Sequence, residues 1–310
     1  MKNVEQETSF VFGSTFKDYN EKELREFINC LKIRLVKNNI PLDIFKDKIC
    51  LDAGCGGGRA SVMMCELGAN AVIAVDASKD NCNTIMKIRS NLNLPISVYQ
   101  KSILDIDYNE DFDIVWCNGV LHHTINPTEG LRNLVKALKP NGYMWIYLYG
   151  VGGIYWYIID QIRERLKWVS SEEVLKILQD LNYSTSKIAE FMDDWKVPIL
   201  ERYTAGNVES ILSSLGLSYS RLINGINYDT CYRNMEYGQY ALMGEGDLRY
   251  WCQKKEVKLI NITSYMNLDE VNINFPEYGT IKFCADLQIK LRDEMSKDQP
   301  FDLEKFKESI

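Results

Sequence analysis

Between residues 49 and 150 the chain alternates short apolar runs with stretches of helical spacing. The runs KICLDAG, AVIAVDAS, ISVYQKS, DIVWCNG and YMWIYLYG are apolar along most of their length rather than on every second residue. Strands of that kind are buried on both faces, which argues for a parallel sheet covered on both sides. The intervening stretches, Arg59 to Leu67, Lys79 to Asn91 and Pro127 to Leu138, read as helices, so the fold class is α/β. Upstream, Leu24, Phe27, Ile28, Leu31, Ile33 and Leu35 give residues 20 to 38 a mostly helical pattern behind Asn20, a good N-cap. Downstream, Ile154 to Lys167, Ser171 to Leu181 and Asn207 to Leu215 read as helices, and DDWKVPILERYTAG as an irregular linker. LSYSRLING and LRYWCQKKEVKLIN read as two late strands. From about Glu256 the pattern predicts a strand, then a helix, then a charged tail that frays.

Composition narrows the class. With 310 residues and 46% apolar content the chain can bury a substantial core, and its formal charge of -7 argues against nucleic acid as a partner. Nine cysteines without a C-x-x-C pair read as buried thiols in a reducing compartment. No basic segment followed by an apolar one opens the sequence, so a cytoplasmic protein is expected. Tyr143 to Ile159 carries no charge over 17 residues, but it is broken by Gly150, Gly152 and Gly153 and holds five tyrosines. It is short for a membrane span and reads as a strand, a glycine break and a helix.

In an open α/β sheet the ligand sits beyond the carboxyl ends of the strands. There LDAGCGGGR offers Gly54, Gly56 and Gly58, where backbone can approach a ligand closely, and Asp76 follows Gly54 by 22 residues at the end of the second strand. A carboxylate at that position suits two ribose hydroxyls, so a nucleoside cofactor is expected. The glycine loop and Asp76 alone leave a dinucleotide-dependent oxidoreductase and a nucleoside-dependent transferase both open.

Four motifs in order resemble those of the class I S-adenosylmethionine-dependent methyltransferases: LDAGCGGGR the first, VDAS the second, DFDIVWCNGVLHHT the fourth and LVKALKPNGYMWIYLYG the fifth. The resemblance covers residues 49 to 150. It implies a doubly wound, Rossmann-like, mostly parallel sheet of seven strands with a helical insertion and a C-terminal extension. The implied organisation is 1–48 a helical cap, 49–150 the cofactor core, 151–206 an insertion over the acceptor, 207–256 the end of the sheet and 257–310 the extension. The cofactor is then S-adenosyl-L-methionine, leaving as S-adenosyl-L-homocysteine. By the same resemblance Gly54, Gly56 and Gly58 pass under the methionine and ribose, Asp52 orients the loop or the amino group, and Asp76 with Ala77 holds the ribose. Asn118 and Gly119 line the methionine side. The family often has an acidic adenine ligand after the third strand; Ser102 stands there instead, which leaves adenine to Ser102 and the Ile103 backbone. Asn141 replaces a customary glycine before the fifth strand and tolerates the left-handed turn required there.

Methyl transfer from a sulfonium is an in-line displacement, so alignment supplies most of the acceleration, and a base serves a hydroxyl or ammonium acceptor. His122 and His123 are the chain's two histidines. His123 is the candidate base and His122 a structural residue; adjacent histidines project differently and no third ligand is signalled, so no metal is expected. Tyr149 and Tyr155 flank the glycine break and are candidate acceptor residues, with Asp193, Asp194, Trp195 and Arg202 in the expected lid. The main reading is a methyltransferase acting on a small or medium-sized acceptor, a sugar or specialised metabolite, with a homodimer as a candidate assembly. An NAD-dependent oxidoreductase and a non-catalytic cofactor-binding subunit are the alternatives.

Overall fold

The computed structural model describes residues 4–16, 21–222, 242–255, 279–297 and 301–310. Two helices, α1 (Val4–Phe16) and α2 (Glu21–Lys37), precede the sheet. The core then runs β1 (Ile49–Ala53), α3 (Arg59–Glu66), β2 (Ala71–Asp76), α4 (Lys79–Leu92), β3 (Ile96–Gln100), β4 (Phe112–Asn118), α5 (Pro127–Ala137) and β5 (Leu138–Tyr149). After it come α6 (Gly153–Leu166), α7 (Ser171–Asp180), α8 (Thr185–Lys196), α9 (Ala205–Ser214), β6 (Leu217–Arg221), β7 (Asp247–Lys254), α10 (Thr280–Met295) and α11 (Leu303–Glu308). The seven strands form one sheet in the order β3-β2-β1-β4-β5-β7-β6. The first five are parallel, and β7 runs antiparallel between β5 and β6. This is the doubly wound, mostly parallel arrangement that the resemblance implied.

Strand residues alternate between two cores, which is why the runs are apolar throughout. Cys50, Ile114, Trp116 and Trp145 face the side covered by α2 and α3, while Leu51, Val115, Cys117 and Ile146 face α5 and α9. A third core, built from Ile158, Phe191, Trp195, Leu291 and Phe306 among others, joins α1, α6, α7, α8, α10 and α11. Asn126 caps α5 by accepting from Glu129 N–H at 3.1 Å, with Pro127 in the first turn, so that helix starts where its sequence directs. Asn141 takes φ +62°, as its left-handed role required.

Two readings change. DDWKVPILERYTAG is not a linker throughout: Asp193 to Lys196 end α8, which Ser184 caps and whose Ile188, Phe191, Met192 and Trp195 share one buried face. The C-terminal tail ends in α11 with Phe306 buried, so the charged residues there surround an anchored helix rather than a frayed end. The strand expected after Glu256 and the ends of the two late-strand segments lie outside the described residues. Among the described residues no helix is long and apolar enough to cross a membrane.

Candidate active site

The ends of β1 to β5 and the start of β7 border one cavity of about 370 Å³. It lies where the winding leaves β1 for β2 on one side and β4 on the other, the crevice in which open α/β sheets hold ligands. Gly54 has φ +74°, and a Cβ there would stand 2.3 Å from Val120 Cγ2, so the loops after β1 and β4 meet at a distance that requires glycine. Gly54 and Cys55 N–H donate to the Val75 carbonyl at 2.8 and 3.0 Å, laying the loop over β2.

Asp76 fastens that loop from below. Its Oδ2 accepts from Gly56 N–H at 2.8 Å, and its Oδ1 accepts from Ser78 N–H at 2.8 Å and Asn81 Nδ2 at 3.2 Å. Burial raises its pKa while these donors pull it down. A carboxylate has about four acceptor positions, so three donors leave room for a ligand hydroxyl. Capping of α4 falls to Ser78. Asp52, 2% exposed, accepts from Ser61 Oγ at 2.6 Å, and burial pushes its pKa up to about 7.

Asp52, Gly54, Gly56, Asp76, Ala77 and Ser102 all border the cavity, as do Ile103, Asn118 and Gly119. Asn118 Oδ1 accepts from Trp145 Nε1 at 2.9 Å, which fixes its side chain above a stacked Trp116–Trp145 pair. Gly58 is not in the lining: it is the left-handed N-cap of α3, and a Cβ there would lie 2.8 Å from Ile85 Cγ1, so packing accounts for it.

The two histidines part company. His122 is fully buried, neither ring nitrogen has a hydrogen-bond partner among the described residues, and burial with the neighbouring His123 drives its pKa well below the usual value. Its ring lies tilted against Tyr149 with centroids 4.0 Å apart, behind the cavity lining rather than in it. His123 borders the cavity, and its Nδ1 lies 2.9 Å from the Ile199 carbonyl. A carbonyl accepts, so Nδ1 carries the proton and Nε2 faces Asp193 Oδ1, 3.3 Å away. Asp193 Oδ2 accepts from the Tyr149 hydroxyl at 2.7 Å, and all three residues line the cavity. Tyr155 and Arg202 do not join them. Tyr155 donates to buried Asp194 in the third core, and Arg202 pairs with both oxygens of Asp160 at 2.8 and 2.9 Å. No metal-binding group of His, Cys, Asp and Glu occurs among the described residues.

Several lining residues escaped the sequence reading. Thr8 and Phe12 of α1, Phe27 and Arg34 of α2, Tyr147 of β5 and Arg249 of β7 border the cavity. The signal in the helices is a single face, with Glu5, Thr8, Ser9 and Phe12 on α1 and Phe27, Cys30, Leu31 and Arg34 on α2 at helical spacing. Arg249 was missed for a different reason: β7 is antiparallel, so its start, not its end, reaches the ligand edge.

Against known proteins, residues 51–146 match the methyltransferase domain family. The ubiquinone biosynthesis O-methyltransferase of Rickettsia prowazekii (strain Madrid E) is 30% identical over 182 residues, spanning 53% of this chain and 71% of the relative. That of Rickettsia typhi (strain ATCC VR-144 / Wilmington) is 29% identical over 190 residues, spanning 55% and 76%. In fold, a chain of the complex between the Haloferax volcanii Trm112 methyltransferase activator and the putative methyltransferase aligns with TM-score 0.50 at 12% identity, covering 79% of this chain and 98% of that one. The fold and site define a nucleoside-cofactor transferase of the Rossmann-like type. The chain belongs to the class I S-adenosylmethionine-dependent methyltransferases. It is an enzyme with S-adenosylmethionine as cofactor, which replaces the oxidoreductase and non-catalytic alternatives.

Proposed function

We infer that this enzyme methylates a hydroxyl group of a small aromatic acceptor. The observation that carries the reading is the His123–Asp193–Tyr149 constellation on the cavity wall. Nδ1–H held by the Ile199 carbonyl leaves Nε2 as the accepting nitrogen, and Asp193 beside it stabilises the imidazolium that forms. Tyr149 donates to the other carboxylate oxygen of Asp193 and holds it in place. Phe12, tilted against His123 at 5.1 Å between centroids, and Tyr147 supply planar apolar surface. A phenolic specialised metabolite fits such a wall better than a sugar, and the Rickettsia relatives are named for O-methylation in ubiquinone biosynthesis.

The residues present suit the cofactor. Asp76 keeps room for a ligand hydroxyl beside its three donors, and Arg34 Nε is buried without a hydrogen-bond partner among the described residues. Bound S-adenosylmethionine supplies a methyl group on a sulfonium. On this reading Asp76 and Ala77 hold the ribose, Ser102 and Ile103 the adenine, and Asp52, Gly54 and Gly56 the turn beneath them. Asn118 and Gly119 border the methionine chain, and Arg34 meets its carboxylate. Residues 1–48 cap the cofactor, and 151–206 bring Asp193 to the acceptor wall. The eight described cysteines are all free thiols, in keeping with a cytoplasmic enzyme.

The test is product analysis with labelled methyl donor and three probes: catechol, methyl glucoside and tyramine. O-methylated catechol is the expected product; N-methylated tyramine, or the glucoside methylated in preference, overturns the reading. With catechol, His123→Ala and Asp193→Asn each lower kcat about a hundredfold, the range of a positioned base. Affinity for S-adenosylhomocysteine stays within about twofold. Unchanged turnover in both variants removes the base.

A further inference from the structure

Three strands align their side chains beside the cofactor's methionine loop. Asn118 of β4 is paired with Tyr147 of β5, and Tyr147 with Arg249 of β7, so the three stand in one row on one face of the sheet. The row below it is Asp52, Trp116, Trp145 and Trp251, a shelf of indoles under the cavity. The Tyr147 ring lies 3.4 Å from where a Cβ on Gly119 would be, and the Arg249 guanidinium lies over that ring, 4.3 Å from its centroid. The guanidinium therefore reaches back one strand from β7 towards Asn118 and Gly119.

Its orientation is fixed. Arg249 Nη2 pairs with Asp247 Oδ2 at 2.6 Å, and the Tyr147 hydroxyl donates to Asp247 Oδ1 at 2.9 Å. Arg34 enters the same cavity from α2. Two guanidinium groups thus border one cavity; burial and then Arg249 lower the pKa of Arg34 to about 10, with Asp247 pulling the other way. Asp247 supplies one negative charge for the two guanidinium groups, so the pair keeps a net positive charge beside the cofactor cleft, and a carboxylate is the planar, two-oxygen group that guanidinium forks match.

We propose that Arg249, set by Asp247 and Tyr147, is the second half of a carboxylate receptor that closes with Arg34 on the amino-acid end of the cofactor. This rests on the reading that the ribose lies on Asp76 and the methionine chain along Asn118 and Gly119. β7 is then a cofactor-binding strand, although it comes about 130 residues after β4. Asp247 is a positioning residue: it neutralises and aims Arg249.

S-adenosylhomocysteine carries the amino-acid end and 5′-methylthioadenosine lacks it, so calorimetry with both isolates the receptor. Wild type binding neither overturns the reading of the cofactor site itself. Given wild-type binding, Arg249→Gln weakens S-adenosylhomocysteine roughly ten- to hundredfold, the worth of a charge-assisted hydrogen bond. It leaves 5′-methylthioadenosine within about twofold. Asp247→Asn gives a smaller loss with the same selectivity, and Arg249→Lys recovers part of it. Equal losses for both ligands with a cooperative thermal unfolding transition, or no loss for S-adenosylhomocysteine, overturn the proposal. So does unchanged S-adenosylhomocysteine affinity with a raised KM for catechol, which would give the receptor to the acceptor. Should Arg249→Gln fail to fold, Tyr147→Phe, which frees Asp247 but keeps the ring, carries the same comparison.

Discussion

His122 and His123 are neighbours in sequence, and their surroundings give them opposite chemistry. His123 has the Ile199 carbonyl on Nδ1 and the Asp193 carboxylate 3.3 Å from Nε2, so each ring nitrogen faces an oxygen. His122 has neither, and burial holds it neutral. Replacing His122 by leucine, which is of similar volume, therefore removes two buried nitrogens that have no partner among the described residues, and little else. The expected outcome is turnover within about threefold of wild type and stability unchanged or slightly higher, read by steady-state kinetics and urea denaturation. A hundredfold loss of kcat would transfer the proton to His122. Asp193 shows the same dependence on surroundings when set beside Asp194. One turns to Tyr149 and the cavity, the other to Tyr155 and the core, because successive helical residues point about 100° apart.

At the level of elements, α10 decides how firmly that aspartate pair is held. Gln288 of α10 accepts from Trp195 Nε1 at 2.6 Å and donates to the Tyr155 hydroxyl at 3.0 Å and to Asp194 Oδ2. Arg292 adds an ion pair to Glu190 Oε1 at 2.9 Å, and Arg163 of α6 donates to the Asp194 and Val197 carbonyls at the end of α8. Gln288→Leu strips partners from Trp195 and Asp194 together, so a loss of about 2–4 kcal/mol in urea denaturation is expected. Affinity for 5′-methylthioadenosine, which touches none of these groups, stays as it was. Much of the fold was legible because doubly covered strands are apolar at every position and because glycines and Asp76 mark the loops that follow them. Alpha-helix α8 was not, since Asp193 and Asp194 next to Val197 and Pro198 look like a solvated turn. What buries Asp194 stands about 90 residues later, on Gln288 and Arg292, where no local pattern points to it. Arg249 was hidden by strand direction, and Tyr155 was misplaced because proximity to the glycine break does not say which way a helix turns its side chain.

For the whole molecule, three cores meet around one cavity and leave carboxylates buried beside it, which sets the response to pH. Burial raises Asp52 and Asp194 to about 7, the latter against the pull of Arg292. Both take up protons more readily folded than unfolded, so their contribution to stability is full below about pH 4 and is lost as pH rises through 7. His122 works the other way: its depressed folded pKa costs stability below its unfolded value near 6.5 and nothing above it. Glu190 and Asp247, held low by Arg292 and Arg249 in spite of burial, stabilise above the ordinary carboxylate range and lose that stabilisation in acid. Stability is therefore expected to climb out of strong acid and peak near pH 5. From there to pH 7.5 it falls by on the order of 1–3 kcal/mol, because the raised carboxylates, with Asp76 shifted in the same direction, outweigh one depressed histidine. Urea midpoints at half-unit pH intervals read the curve. Asp52→Asn should flatten the limb above pH 5, since asparagine keeps a hydrogen bond to Ser61 and has no charge to bury, whereas His122→Leu should steepen it by removing the opposing histidine. If Asp52→Asn leaves that limb unchanged, the carboxylate under the glycine loop is ionised at little cost, and the loop rather than the charge determines how tightly that corner is packed.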